Sequence, residues 1–514
     1  MINNEVFLKK AKELEPVLRE EEITPAAIVS FQKDAAGRIV PGNRNEIGKL
    51  EEISLGKGDK IVLDFGNHYV GYFSTTLKTT GAHYDAPAYL RIKFAELPSE
   101  LFENAEEYQG WISRSWIQEE YIHIDDFPTV LKMPRRYAFR YVQIEVIDTS
   151  AKYKVQLRNV SARTVTSADM NTIQPLCTGD TLLDEISRVS VNTLKDCMQK
   201  VFEDGPKRDR RLWLGDLRLQ ALANYATFKN YDLVKRCLYL FAGTTFDDGR
   251  IGACLFTEPE IEVDDSYLMD YALIFGAVLW EYYEETSDIE TLRELYPYAK
   301  KQVEICLEGL NDKQLVVEKK EPDCLLDWTI ELNRQAGAEA VLIYSIGYIV
   351  KVAEVLGEIN TAKKYTEVQK KLKKIVYEAF WDEEQKLFVS GDERQVSWVT
   401  QIWMVLAEVL SQEKSRNLMV HIMKVKPEIP MITPYMYHYF VDALMHCGLQ
   451  NEALELIKKY WGGMVENGAD TFWELYNPTN LNESPYGSVM VNSFCHAWSC
   501  TPVYFLRRYF KWKQ

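Results

Sequence analysis

Hydrophobic and polar residues alternate one by one in several segments of the first third of the chain. The alternation is clearest at residues 61–65, 90–94, 142–146 and 153–157. A period of two places one set of side chains on a buried face of a strand and the other set in water. Turn-forming pairs such as Gly66-Asn67 and Pro98-Ser99 separate these segments. The pattern therefore predicts an antiparallel β-sandwich, with a short leading helix within residues 1–20.

From Asp180 onward the hydrophobic period becomes helical. Hydrophobic residues recur mostly at steps of three and four, which places them on one face of a helix. The pattern predicts about a dozen helices, at residues 180–202, 216–229, 231–243, 266–285, 289–310, 337–356, 361–380, 396–411, 413–425, 433–447, 450–460 and 490–511.

Two helical architectures fit this series, a stacked solenoid and a closed toroid of inner and outer helices. No recurring sequence period favours a solenoid. Long loops rich in aromatic and acidic residues follow every second helix, at 203–215, 248–265, 312–335, 383–397 and 462–489. A barrel of helical hairpins places all of these loops at one mouth, where a ligand pocket belongs. We therefore predict a β-sandwich at residues 1–165, followed by a closed barrel of helical hairpins at 166–514.

Composition narrows the class of protein. The chain has 514 residues and a net charge of −16, which argues against nucleic acid as a partner. Its nine cysteines form no Cys-x-x-Cys pair, and residues 1–19 carry no apolar signal segment. No apolar run reaches membrane-spanning length. We expect a cytoplasmic protein with no membrane partner, and its assembly into a homo-oligomer is left open.

The loop from Asp204 to Asp216 concentrates charged residues between two predicted helices. Asp204 and Asp209 are five residues apart, a spacing that does not share a helical face, and Pro206 opposes helix before it. A turn at this point would aim both carboxylates at one small ligand. Two other interpretations are a solvated charged loop and a salt bridge in which arginines neutralise the two carboxylates.

A second group of candidate residues lies at Gly468 to Glu474. Glu474 follows Trp473, and an aromatic neighbour both favours a protonated carboxyl group and offers a ring to the apolar face of a sugar. Two carboxyl groups on opposite sides of a pocket are the minimum equipment for glycoside hydrolysis. One of them protonates the leaving oxygen, and the other activates water.

Three stretches, Asp204–Asp216, Gly468–Glu474 and Cys495–Ser499, together resemble the signature stretches of glycoside hydrolase family 78. The similarity extends from about residue 166 to the end of the chain. Segments at residues 63–66 and 70–72 also resemble strands of the accessory sandwich in that family. The resemblance implies an inverting α-L-rhamnosidase with an (α/α)6 barrel behind a β-sandwich.

The resemblance also implies a role for each residue. Asp209 matches the general acid of the family and Glu474 its general base. Five positions match sugar-binding residues of the family, namely Asp204, Arg208, Trp213, Asp216 and His496, and two match less closely, Asp265 and Trp328. Trp473, beside the proposed base, is a further candidate for contact with the sugar. Many members have Cys in place of Gly205, Glu as the general acid and one more residue before the tryptophan. The loop of this chain is therefore shorter, and its acid, Asp209, has a shorter side chain than Glu.

These features predict an exo-acting glycosidase that releases terminal α-L-rhamnose from small rhamnosides. The sequence has no His-Glu-x-x-His motif, no cysteine cluster and no phosphate-binding glycine loop, so we expect neither a catalytic metal nor a cofactor. Two alternatives stay open. One is another exo-glycosidase on the same barrel, and the other is a sugar-binding protein without turnover.

Overall fold

A computed structural model describes residues 2–35, 38–317 and 323–512. An antiparallel β domain is followed by a helical domain, as predicted. The strands in the first part of the chain are β1 (Ile2–Asn3), β2 (Arg19–Ile23), β3 (Ala27–Lys33), β4 (Ile39–Glu46), β5 (Lys60–Gly81), β6 (Ala88–Ala95), β7 (Glu119–Ile124), β8 (Thr129–Lys132), β9 (Tyr137–Asp148) and β10 (Tyr153–Thr166).

The long strand β5 organises the β domain. Its first half pairs with β9 and β3, whereas its second half pairs with β10 and β8. The register against β9 shifts between Asp64 and Tyr69, and the pairing with β10 begins at Gly71. Phe73 on the second half contacts Phe94 on β6, with ring centroids 5.6 Å apart. Because β6 is not hydrogen-bonded to β5, this contact shows that the sheet folds over a shared core.

Helices fill the second part of the chain and also follow β1. They are α1 (Glu5–Glu13), α2 (Thr181–Cys197), α3 (Leu214–Ala226), α4 (Tyr231–Gly243), α5 (Met269–Thr286), α6 (Ile289–Glu308), α7 (Gln335–Val355), α8 (Ile359–Phe380), α9 (Trp398–Leu406), α10 (Gln412–Val425), α11 (Pro434–His446), α12 (Gln450–Glu466) and α13 (Pro502–Arg508). Short strands lie in their connections: β11 (Leu212–Trp213), β12 (Thr244–Thr245), β13 (Cys254–Phe256), β14 (Glu262–Val263), β15 (Trp381–Asp382) and β16 (Leu387–Phe388).

The helices from α2 onward form a ring of six hairpins. Each inner helix contacts the next, from α3 through α5, α7, α9 and α11, and α13 closes the ring against α3. The outer helices α4, α6, α8, α10 and α12 pack on their inner partners, and α12 contacts α2. This arrangement is the predicted toroid rather than a solenoid.

The inner helices are buried on more sides than the outer helices, as their positions in the ring require. Nearly every residue of α3 and α5 is buried, whereas α8 buries a single face. A helix that is apolar all round must be enclosed on all sides. Helix α7 is long and apolar enough to cross a membrane by length and composition alone. Most of that stretch is buried inside the protein.

The connections that follow the outer helices are long and precede the inner helices, as the loop pattern predicted. Part of the predicted loop at 312–335 lies outside the described residues. The predicted helix at 490–511 is wrong in extent, since only Pro502–Arg508 is α-helical and short 3-10 turns occupy Val489–Val491 and Ala497–Ser499. Backbone groups in this segment bond to another loop instead, His496 N to Phe472 O among them.

The leading helix α1 packs against α4 of the helical domain rather than on the sheet. The backbone N–H of Asn4 donates to Gly243 O over 2.8 Å, and β1 pairs with β12. The last strand of the sheet ends at Thr166, and α2 begins at Thr181. The chain thus starts on the helical domain before it builds the β domain.

Candidate active site

The loop between α2 and α3 is folded around the carboxylate of Asp204. Its Oδ2 accepts a hydrogen bond from the backbone N–H of Asp209, and its Oδ1 accepts one from Arg211, both over 3.0 Å. Gly205 is required here because a Cβ at this position would lie 2.5 Å from the carbonyl oxygen of Arg208. Asp204 therefore shapes the turn that presents Asp209.

Arg208 lies between the two predicted catalytic carboxylates. Its Nη1 lies 3.2 Å from Asp209 Oδ1, and its Nη2 lies 2.5 Å from Glu474 Oε2. The guanidinium is fixed by a hydrogen bond from Nε to Val491 O and by the ring of Tyr486, 4.1 Å away. The structure thus brings Asp209, which is partly exposed, and Glu474, which is buried, to one cation.

Glu474 is held by a complete set of donors. The hydroxyl of Tyr486 donates to its Oε1 over 2.9 Å, and the backbone N–H of Ser493 donates to its Oε2 over 3.2 Å. Its own backbone oxygen accepts from the indole N–H of Trp498. A carboxylate with this support has a fixed orientation, which a group that activates water requires.

Asp216 and His496 form a second polar group beside Asp204 and Glu474. His496 Nδ1 lies 3.5 Å from Asp216 Oδ1, and His496 Nε2 lies 3.8 Å from Glu474 Oε1 and 3.9 Å from Asp204 Oδ2. Neither Asp216 Oδ1 nor His496 Nδ1 has a hydrogen-bond partner among the described residues, although both atoms are buried. Buried polar atoms without partners point to a ligand that supplies them.

Burial controls the protonation of these groups. It raises the pKa of Asp204 to about 7, with the charge of Asp209 adding to the effect. Burial and the nearby Asp204 raise the pKa of Asp216 well above its ordinary value. Burial also lowers the pKa of His496 to about 3, and the Arg208 charge acts in the same direction. A neutral imidazole beside carboxyl groups whose pKa values are raised offers both donors and acceptors, which suits hydroxyl groups.

Aromatic rings border this polar group. Trp328, which is partly buried, packs edge-on against Trp498 at 5.3 Å and against Tyr486 at 5.8 Å. The ring of Trp498 also lies 4.4 Å from His496. Trp328 is therefore close to the groups around Glu474, as the sequence predicted. Trp498 lies in the signature stretch Cys495–Ser499 but was given no role from the sequence, and Tyr486 was not singled out there.

Three other predicted residues lie differently. Trp473 is buried and packs edge-on against Tyr476 and Phe494. Trp213 is partly buried and packs edge-on against Tyr271, in the ring of inner helices. Asp265 is exposed in the loop after β14, where no described residue bonds to its carboxylate. No ring contact or hydrogen bond among the described residues joins these three side chains to Arg208.

The β domain contributes residues that the sequence reasoning missed. Glu96 Oε2 accepts a hydrogen bond from the backbone N–H of Phe494 over 2.7 Å. Lys207, next to Arg208 in the chain, donates to Glu100 and to Asn492 O. All of these side chains are buried. The β domain therefore fixes both loops of the site, the one that contains Lys207 and the one that contains Asn492 and Phe494. Only the fold brings Glu96 and Glu100 to these loops, and no local motif marks them.

One cluster of described residues has the donor types of a metal site. Ligand atoms of His68, Asp196 and Cys495 all lie within 4.8 Å of one another. The two imidazole nitrogens are already engaged, Nδ1 with Asp196 over 2.7 Å and Nε2 with Glu96 over 3.1 Å. Burial opposes the charge of His68, but these carboxylates help to raise its pKa well above the ordinary value. The cluster is accounted for as a hydrogen-bonded link between the domains.

The fold and site define a six-hairpin glycosidase with an accessory β domain. Residues 25–164 match the family model of the glycosyl hydrolase family 78 alpha-rhamnosidase N-terminal domain. Residues 173–510 match the model of the bacterial alpha-L-rhamnosidase 6 hairpin glycosidase domain. The chain belongs to glycoside hydrolase family 78, which confirms the resemblance seen in the sequence.

Solved structures support the same assignment. A rhamnosidase from Klebsiella oxytoca with rhamnose bound is 44% identical, with a TM-score of 0.95 and 99% of each chain covered. A family 78 rhamnosidase of Bacillus sp. GL1 is 22% identical, with a TM-score of 0.75 over 92% of this chain and 50% of that one, and so supports the fold.

A curated relative is more distant. An alpha-L-rhamnosidase of Alteromonas sp. (strain LOR) is 21% identical over 459 residues, which are 85% of this chain. The chain spans about half the length of that relative, since the match covers 48% of it.

Proposed function

We propose that this protein is an exo-acting, inverting α-L-rhamnosidase. The observation that carries the proposal is the placement of Arg208 between Asp209 and Glu474, beside buried polar groups with unused hydrogen-bonding capacity. Family membership supports the choice of sugar, and so does the rhamnose bound by the Klebsiella oxytoca rhamnosidase. The proposed substrates are small rhamnosides.

In the proposed reaction the rhamnosyl ring binds beside Asp204, Asp216 and His496. Asp209 donates its proton to the glycosidic oxygen while the bond from that oxygen to the anomeric carbon breaks. Glu474 takes a proton from the water that attacks the opposite face of this carbon, so the configuration inverts. One water is consumed, and rhamnose and the free alcohol are released. The two carboxyl groups are predicted to lie about 6.5–9.5 Å apart when substrate is bound.

A panel of nitrophenyl glycosides tests the choice of sugar. We expect hydrolysis of the α-L-rhamnoside and little or no hydrolysis of other terminal sugars and uronides. Cleavage of a different glycoside in preference to the rhamnoside would favour another exo-glycosidase on this barrel. Calorimetric binding of rhamnose without hydrolysis of any rhamnoside would favour a sugar-binding protein.

Two substitutions test the proposed roles. Asp209→Asn and Glu474→Gln should each reduce kcat by about 100-fold or more, since each removes a group that transfers a proton. Circular dichroism serves as the control for folding. Near-normal turnover of either variant would contradict its assignment. NMR of the first sugar anomer released by the unmodified enzyme tests inversion directly, because a retaining enzyme would release the opposite anomer.

A further inference from the structure

A cavity of about 790 Å³ lies where the β domain meets the helical domain. Its walls include Tyr72 and Arg163 from the β domain and Asp209, Arg211 and Phe256 from the helical domain. The volume is that of a site for a small organic ligand. The cavity opens directly beside the proposed general acid.

The two catalytic carboxylates differ in their relation to this cavity. Asp209 lines it, whereas Glu474, on the other terminal nitrogen of Arg208, is not among the described residues that do. In an inverting glycosidase the acid lies on the side of the leaving group and the base on the side of the attacking water. The cavity beside Asp209 is therefore on the leaving-group side of the reaction.

The walls of the cavity carry more cations than anions. Six basic side chains line it, namely Arg135, Arg136, Arg163, Lys200, Arg210 and Arg211, against the four acidic side chains of Glu20, Glu203, Asp209 and Glu258. This excess occurs in a chain whose net charge is −16. Four of the cations have carboxylate partners within the protein, and these are Glu120 for Arg135, Glu203 for Arg136, Glu20 for Arg163 and Glu258 for Lys200.

The remaining two cations, Arg210 and Arg211, have no carboxylate within ion-pair distance among the described residues. Arg210 donates to two backbone oxygens, those of Lys207 and Arg136. Burial lowers the pKa of Arg210 to about 10, and the charge of Arg136 adds to this effect. The guanidinium of Arg211 stacks on the ring of Phe256 at 4.1 Å and is partly exposed.

We propose that this cavity binds an anionic leaving group, a sugar acid whose carboxylate pairs with Arg211 and Arg210. A planar guanidinium binds a carboxylate through two parallel hydrogen bonds, and stacking on Phe256 presents the fork of Arg211 in a fixed orientation. The substrate is then a rhamnosyl uronate rather than a neutral rhamnoside. The inference rests on the proposed rhamnosidase activity, whose site it extends on the far side of the glycosidic oxygen.

The test compares two disaccharides that differ in one group. Methyl glycosides of rhamnosyl-glucose and rhamnosyl-glucuronic acid, with the same linkage, have the same leaving oxygen but only the second carries a carboxylate. We expect kcat/KM to be about tenfold higher for the uronate, the gain typical of hydrogen bonds to a charged group. Because the site is partly open to water, about 0.5 M salt should reduce this preference.

Variants locate the effect in the cavity. Arg211→Gln should remove most of the preference for the uronate, and Arg211→Lys should retain part of it because the charge remains. The matched control is Arg293→Gln, which makes the same change in net charge on the exposed surface of α6. This control should retain the full preference.

The outcomes separate the two proposals. If the unmodified enzyme cleaves the neutral disaccharide as fast as the uronate or faster, the anionic site is contradicted and the rhamnosidase proposal stands. A preference that neither salt nor Arg211→Gln reduces would also contradict the anionic site. Failure to cleave either disaccharide and nitrophenyl rhamnoside contradicts the rhamnosidase proposal itself. The salt series uses unmodified enzyme, so it decides the question even if Arg211→Gln does not fold.

Discussion

At the scale of single residues, Asp216 combines a cost in stability with a proposed role in binding. Its Oδ1 is buried without a partner among the described residues, and burial raises its pKa well above the ordinary value. A carboxyl group that is harder to ionise in the folded protein than in the unfolded chain lowers stability as the pH rises above about 4. At neutral pH, Asp216 therefore lowers the free energy of unfolding.

Asp216→Asn should therefore stabilise the protein and impair its function. We expect the free energy of unfolding to rise by about 1–3 kcal/mol at pH 7, with a smaller gain near pH 4, where the native carboxyl is protonated in the folded protein and about half protonated in the unfolded chain. Thermal unfolding at both pH values measures this effect. Rhamnose affinity, followed by calorimetry, should fall. If Asp216→Asn stabilises the protein less at pH 7 than at pH 4, this account is contradicted.

The turn at Asp204 and the side chain of Trp473 differ in how far the sequence could predict them. The motif around Asp204 predicted a turn, and the structure has a turn there, which is folded around the Asp204 carboxylate and presents Asp209. Trp473 was predicted at the sugar because it adjoins Glu474, but the structure places the two side chains in different contacts. With Glu474 directed at Arg208, Trp473 packs against Tyr476 and Phe494. Proximity in sequence does not fix direction, which depends on the backbone.

At the scale of elements, the hydrophobic period predicted the hairpins well because each helix buries one face or all faces. It failed at 490–511, where buried residues belong to an irregular segment held by hydrogen bonds to another loop. The hydrophobic pattern correctly predicted that this segment is buried, but it wrongly predicted that the whole segment is helical. The contacts that fix the site loops, through Glu96 and Glu100, join elements far apart in the chain and leave no periodic signal.

Lys207 connects these elements, and its replacement tests their coupling. It is buried and pairs with Glu100, while Glu96 Oε2 lies 3.5 Å from its ammonium group. Lys207→Met should lower the free energy of unfolding by about 3–5 kcal/mol, because two buried carboxylates lose their cation. Burial already raises the pKa of Glu100 to about 7 against the effect of Lys207. Without the lysine this pKa rises further, so the loss should grow with pH.

Denaturant unfolding between pH 6 and 8 measures this dependence. Glu100→Gln added to the Lys207→Met variant should recover part of the lost stability, because one uncompensated charge is removed. No recovery in the double variant, or a loss independent of pH, would show that Lys207 acts through packing alone. Turnover should fall in the single variant, since Lys207 precedes Arg208.

At the scale of the whole molecule, a network of charged groups joins the two domains. Arg140 on β9 pairs with Asp64 on β5 and with Asp470, four residues before Glu474. Burial works against the ionised form of Asp64, but Arg140 and Arg44 hold its pKa below the ordinary value. This carboxyl group contributes stability above about pH 4 that is lost as the pH falls.

We therefore expect the chain to unfold in one calorimetric transition rather than two. Arg140→Gln should lower the midpoint of the whole transition by several degrees at pH 7, because a buried pair that loses one partner costs about 3 kcal/mol or more. The shift should be smaller near pH 3, because the stability that ionised Asp64 contributes declines as the pH falls below about 4. Two separate peaks, or a shift confined to one of them, would show that the β domain and the helical toroid fold independently. The contacts of Arg140, Lys207 and His68 across the interface argue for a single cooperative unit, in which the β domain is required for the geometry of the active site.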